Sequence, residues 1–317
     1  MDGPLKHLPA AVPAWGTTGS FATGGHWHEL HDTRRARTLP LKLYLPEGAK
    51  PLGLILFSHG LGGSREGGAD WLEHWCSHGF AALAVQHPGS DASLLRNNSP
   101  LGLRHALKAA MNPEELAHRA EDIRFVLSRI GRDPALAALA DVQAIGLSGH
   151  SFGAVTVQLL AGERRPQHLS VTLDPRVRAV LAFSPSARFS DQGPSLDHRF
   201  GGIHLPFFSI TGSRDDGMGL SDITAANREL PYRHMPPGDK YLLVFAGGNH
   251  LDFAGQASAA EGAVFRLRRA PAPFHTALLA ASTAFWQAFL ARNDGARHWL
   301  TATLPKHLRS EDRFEFK

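Results

Sequence analysis

The sequence predicts an α/β fold, built on a mostly parallel central sheet with helices on both faces. Two observations carry that expectation. Short apolar runs recur: "GLILFSHG" (53–60), "FAALAVQHPG" (80–89), "VQAIGLSG" (142–149), "RVRAVLAFSP" (176–185), "LPFFSITG" (205–212) and "KYLLVFAGG" (240–248). Each stops at Gly or Pro. Strands buried on both faces read as continuous apolar runs of this length. Between several of the runs lie stretches with helical spacing, and strands that alternate with helices pair in parallel through crossover connections.

Taken in order, "WHELHDTRRARTLPLKLYLPEG" (27–48) reads as two strands around a polar turn, with Leu41, Leu43 and Leu45 alternating on one buried face. A helix is expected near Ala69–His78, and Ser90–Pro113 reads as polar and irregular. "PEELAHRAEDIRFVLSRIG" (113–131) is an amphipathic helix: Pro113 suits the first turn, Glu114 and Glu115 suit the dipole, and Leu116, Ile123, Val126, Leu127 and Ile130 form its buried side. "FGAVTVQLLAG" (152–162) is a helix after the third run, Met218–Arg228 another, and "FHTALLAASTAFWQAFLARN" (274–293) a late helix that closes the core. No internal repeat or low-complexity linker divides the 317 residues, so residues 1–317 are expected to form one domain, with partial lids around 90–113 and 186–205.

Composition excludes several classes. Thirty-three basic and 29 acidic residues are interspersed, for a net charge of +4, and no basic block exceeds short pairs such as Arg34-Arg35, so a nucleic-acid partner is not expected. Cys76 is the only cysteine, which rules out an intrachain disulfide and fits a reducing compartment. In "MDGPLKHLPAAVPAWG" prolines precede any apolar run of signal length, and no stretch of about 18 apolar residues occurs. A cytoplasmic protein without stable membrane insertion is the expectation.

The chemistry gathers at the predicted strand ends. Gly149-His150-Ser151-Phe152-Gly153 stands where a strand meets a helix. Small flanking residues let a strained turn push the Ser151 hydroxyl out at the top of the sheet. In a chain with 32 glycines the pattern alone is weak, so context decides. A neutral hydroxyl needs a base, usually a histidine oriented by a carboxylate. Ser213-Arg214-Asp215-Asp216 follows "FFSITG", and Asn249-His250 follows "YLLVFAGG", both at the same sheet edge as Ser151. Asp215 is the choice for the acid, three residues past Gly212, with Asp216 as the alternative. His150, beside the nucleophile, is assigned to packing within the turn rather than to proton transfer. The glycine-rich "FSHGLGGSRE" (57–66) follows a strand, and the backbone amides of Leu61 and Phe152 are the expected oxyanion donors.

"SHGLGGSREGGADWLEHWCSHGFAALAVQHPGSD" followed by "GHSFGA" resembles the platelet-activating-factor acetylhydrolase and predicted dienelactone-hydrolase-like branch of the α/β-hydrolases. "HDTRRARTLPLKLYLPEG" and "RAEDIRFVLSRI" extend the resemblance to roughly His31–Phe253. It implies an α/β-hydrolase fold and a serine carboxylesterase, with Ser151, an aspartate and His250 as triad, Leu61 and Phe152 amides as oxyanion donors, and no cofactor or metal. Three positions depart from relatives. The mammalian acetylhydrolases look to place their acid after the strand that here is "AVLAFSPSA", which holds no carboxylate at 182–187; this favours Asp215, as in bacterial relatives and polyester-degrading cutinases. Ser151 replaces the cysteine of true dienelactone hydrolases, and Ala154 a second glycine.

Three rival readings remain. His26, His28 and His31 have a spacing similar to a zinc motif, without the aspartate that Leu30 replaces. A non-catalytic scaffold would have lost a triad position, and all three are filled. The same triad also serves amidases, thioesterases and polyester hydrolases, because loops set selectivity. Trp71, Trp75, Leu94, Leu95, Phe183 and Phe189 are candidate walls of an apolar pocket, which favours neutral or lipid-like acyl esters.

Overall fold

The computed structural model describes residues 15–96, 100–165, 172–189, 195–255 and 272–317. The strand-forming runs β3 (Leu54–Ser58) and β4 (Ala81–Val85) are buried throughout, as is β5 (Ile145–His150). With β6 (Val177–Phe183), β7 (Phe207–Arg214) and β8 (Lys240–Asn249) they pair in parallel, in the order β4-β3-β5-β6-β7-β8. The hairpin β1 (Thr23–Asp32) and β2 (Arg37–Pro46) adds two antiparallel strands beyond β4, and β9 (Arg313–Phe316) adds one beyond β8. The result, among the described residues, is a mixed, mostly parallel sheet of nine strands.

Period-two alternation sends each strand's side chains into two cores. Leu54 and Leu56 face the helices α4 (Pro113–Arg129) and α5 (Phe152–Leu160), whereas Ile55 and Phe57 face α1 (Ala69–Ser77) and α8 (His275–Phe289). Trp71, Trp75 and Trp286 fill the second core; all three are essentially fully buried. At Gly146 the sheet and α8 touch so closely that a Cβ would lie 2.5 Å from the Trp286 ring.

Several expectations need correction. Ser90–Pro113 is not irregular: it holds α2 (Ser93–Arg96) and α3 (Pro100–Ala110). Leu103 and Leu107, one turn apart, give α3 a half-buried stripe too narrow to stand out from its polar neighbours. Of the second suggested lid, residues 190–194 lie outside the described residues, and α6 (Leu196–Phe200) belongs to the core, with Phe200 and Ile203 fully buried. The helix expected at Met218–Arg228 is α7 (Ala225–His234), which starts where Thr224 and Asn227 form a capping box. Strand β9 was not expected at all. No helix among the described residues is long and apolar enough to cross a membrane.

The chain runs from β3 to β4 on one side, then returns past β3 to β5 on the other. Such a reversal leaves a crevice beyond the carboxyl ends of β3 and β5, where ligands of open parallel sheets bind.

Candidate active site

Ser151 stands alone between β5 and α5, at φ 56° and ψ −114°. A non-glycine residue at positive φ is strained and persists only where its surroundings over-determine it. Here the Ser151 N–H donates to the Phe183 carbonyl at 3.0 Å, and the Val155 N–H donates to the Ser151 carbonyl at 3.1 Å. The flanking glycines are required by contact. A Cβ at Gly153 would lie 1.9 Å from the Ser58 carbonyl oxygen, and one at Gly149 would lie 2.5 Å from the Gly153 backbone.

β7 and β8 deliver the candidate acid and the candidate base together. Gly212 lies against the Gly248 backbone, the register shifts there, and Arg214 pairs with Asn249, so Asp215 and His250 emerge side by side. Asn249 caps the short 3-10 turn His250–Phe253: its side chain accepts from the Leu251 N–H, and Asp252 accepts from the Asn249 N–H at 2.9 Å. His250 Nδ1 lies 2.7 Å from Asp215 Oδ1, and His250 Nε2 lies 2.9 Å from Ser151 Oγ. Of the two candidate aspartates, Asp215 meets the imidazole. Asp216 is exposed and accepts from the Met218 N–H instead.

Asp215 is fully buried, and Thr211 Oγ1 donates to its second oxygen at 2.8 Å. Burial opposes its ionisation, but the His250 hydrogen bond and the Arg228 charge outweigh burial and hold the carboxyl down at about 2. An ionised Asp215 accepts, so Nδ1 donates and Nε2 is left free to take the Ser151 proton. His150 is buried, and burial keeps it well below the usual histidine range. Its Nε2 donates to the His250 carbonyl at 3.0 Å, so it anchors the turn that carries His250.

The oxyanion candidates flank Ser151. Ser58 pairs with Gly149, which sets the segment after β3 beside the segment after β5. The Gly63 N–H donates to the Gly60 carbonyl at 3.0 Å with Gly62 at φ 74°, the pattern of a type II turn, and Leu61 occupies its second position. Phe152 is the first residue of α5, where backbone N–H groups have no intrahelical acceptor.

Other candidates fall elsewhere. Alternation along β1 puts His26 and His28 on one face and His31 on the other, where His31 Nδ1 meets Thr38 Oγ1 at 3.0 Å. Among the described residues no group of three His, Cys, Asp or Glu side chains could hold a metal ion. Trp71, Trp75 and Phe183 are core residues; Leu94 and Leu95 are half-buried, and Phe189 is exposed.

Sequence reasoning missed Arg228. Its guanidinium, on α7, reaches the Asp215 carboxylate (Nε–Oδ1 3.1 Å) and donates to the carbonyls of Asp215, Ser184 and Asp216 at 3.2, 3.0 and 3.3 Å. Its Nη2 also lies 3.1 Å from His250 Nδ1. Because Nδ1 already donates to Asp215, that contact is a charge held close rather than a bond. An arginine on a mainly polar helix carries no signal of this role. Two further buried residues, Arg119 and Asp122, did leave one: they lie on the apolar stripe of α4 with Leu116, Ile123 and Val126. The chain matches no protein-family model and no curated protein.

Proposed function

We propose that the protein is a serine carboxylic ester hydrolase of the α/β-hydrolase type, acting through an acyl-enzyme on neutral or lipid-like acyl esters. One observation carries the reading: a strained Ser151 whose hydroxyl is 2.9 Å from an imidazole that is itself 2.7 Å from a buried carboxylate. Nucleophile, acid and base each follow a parallel strand in the order serine, aspartate, histidine, which is the order of α/β-hydrolases.

Ser151 Oγ forms a bond to the ester carbonyl carbon while its proton passes to His250 Nε2. The imidazolium is held by Asp215, and the carbonyl oxygen, now an anion, is received by the amides of Leu61 and Phe152. Collapse breaks the bond to the alcohol oxygen, which takes the proton from Nε2 and leaves. Water then loses a proton to Nε2 and attacks the acyl-serine carbonyl. The second tetrahedral intermediate releases the acid and returns the proton to Ser151.

The test is the initial rate on p-nitrophenyl esters from acetate to a long-chain acyl group, for the wild type and Ser151→Ala. Turnover by the wild type and a fall of about 10³-fold or more in the variant is the expected result. A variant as active as the wild type sinks the reading.

A further inference from the structure

Arg119 is fully buried in the middle of α4, on a mainly apolar stripe of Leu116, Ala120, Ile123 and Val126 that it shares with buried Asp122. None of its four hydrogen bonds goes to a carboxylate. Nε donates to Thr156 Oγ1 at 3.1 Å, Nη1 to Ser90 Oγ at 2.9 Å, and Nη2 to Ser58 Oγ at 3.0 Å and to the His59 carbonyl. Burial lowers the guanidinium to about 9, so it remains charged at neutral pH; the acids that partly offset burial are Glu115, Asp122 and Asp91, and Arg37 opposes them.

The four bonds divide between two places. Ser58 and His59 lead directly into the turn that carries Leu61, and the Ser90 carbonyl accepts from the Gly62 N–H of the same turn at 2.8 Å. Thr156 lies one helical turn past Phe152, and its Oγ1 donates to the Phe152 carbonyl at 2.9 Å. The guanidinium carbon also sits 4.8 Å from the centre of the Phe152 ring. We propose that Arg119 is the positioning residue of the oxyanion site: one rigid fork ties the turn bearing the Leu61 amide to the first turn of α5 bearing the Phe152 amide.

Both donors must point at one oxygen within about 0.5 Å, yet they stand on separate segments of the chain. Packing does not require a charge here. A leucine or methionine on this stripe would serve the core, since burying a charge is costly and apolar replacements of buried ion groups are often neutral or stabilising. Lysine offers no equivalent, because it lacks the planar fork that reaches several acceptors in fixed directions.

The inference rests on the esterase reading, and the experiment separates the two. Arg119→Met, Arg119→Lys, Thr156→Val and Ser90→Ala are compared with the wild type and Ser151→Ala on a p-nitrophenyl ester. Inhibition by an alkyl trifluoromethyl ketone, whose serine adduct carries an oxyanion, is measured in parallel. For Arg119→Met, kcat falls about 10²- to 10³-fold with KM within about threefold, and the ketone binds more weakly by a similar factor. Arg119→Lys is intermediate. Thr156→Val loses about fivefold to tenfold in kcat, again mirrored in the ketone. A folded Arg119→Met with wild-type kcat, or with reduced kcat but wild-type ketone affinity, overturns the inference. If Arg119→Met does not fold, the Thr156→Val, Ser90→Ala double variant decides: kcat and ketone affinity both within about twofold of wild type overturn it. Activity that survives in Ser151→Ala overturns the esterase reading, and this inference with it.

Discussion

Replacing Asp215 by Asn should be far more damaging here than the loss of one hydrogen bond. In the native site the carboxylate, 2.7 Å from Nδ1, keeps the proton on that nitrogen. Once the charge is gone, Arg228 Nη2 remains 3.1 Å from Nδ1, and a guanidinium can only donate. Nδ1 must then offer its lone pair, the proton moves to Nε2, and the imidazole donates to Ser151 instead of accepting from it. The equivalent isosteric change in a known Ser-His-Asp enzyme costs about 10⁴ in kcat. At about 1.4 kcal/mol per decade that is about 5–6 kcal/mol of transition-state stabilisation, and the fixed donor leaves no reason to expect less. Asp216→Asn is the control: the residue is exposed, and an amide oxygen can replace the acceptor it offers the Met218 N–H, so kcat should stay within about twofold. Initial rates on p-nitrophenyl acetate, with thermal melts to establish folding, provide the assay. Asp215→Asn within tenfold of wild type, or a collapse in Asp216→Asn instead, would refute the reasoning.

Two further outcomes follow from the same geometry. The Asp215 carboxyl is held at about 2 against an ordinary 3.8, so it contributes about 2 kcal/mol of stability above about pH 4 that disappears as pH falls through about 2. Denaturant unfolding from pH 6 to pH 2 should show a flatter acid limb in Asp215→Asn than in wild type, and identical limbs would mean the carboxylate is not ionised as described. Gly153→Ala drives a Cβ to 1.9 Å from the Ser58 carbonyl and 2.8 Å from the His59 carbonyl, both backbone atoms that cannot rotate away. It should cost about 2–3 kcal/mol or more and reduce kcat as α5 is pushed off β3; a wild-type melting temperature and rate would show that the approach is not tight.

The parallel strands were legible because burial on both faces makes their composition do the work of alternation: β3, β4 and β5 have no polar face to confuse the pattern. The clustering of Ser151, Asp215 and His250 at their ends was legible for a related reason, since only a carboxyl-end residue can reach the crevice. Strand β9 was not legible. "RFEF" is four residues with two charges, and its conformation is decided by the open edge of β8, not by its own propensity. The same holds for α3, whose leucine stripe gains meaning only from the turn it covers: a Cβ at Gly62 would lie 3.4 Å from Leu107. Arg228 was invisible because nothing local distinguishes it from the solvated arginines around it. Arg119 was visible as an anomaly, a charge on an apolar stripe, without any indication of what it touched.

These observations meet at Ser151. A residue at φ 56° and ψ −114° stores about 1–3 kcal/mol, and left alone it would relax into a broader turn that points the hydroxyl elsewhere. Relaxation is blocked from three sides. The Ser151 N–H is committed to β6 through Phe183, Gly153 is pressed onto the Ser58 carbonyl, and α5 is held through Thr156 by Arg119. Two of the three restraints run to the segment that carries Leu61 rather than to the strand that leads into Ser151. The turn that exposes the Ser151 hydroxyl and the turn that carries the Leu61 amide are therefore one mechanical unit. A substitution that loosens Gly60–Gly63 is expected to disturb the serine as well, and kcat will not separate the two effects unless binding of an oxyanion mimic is measured beside it.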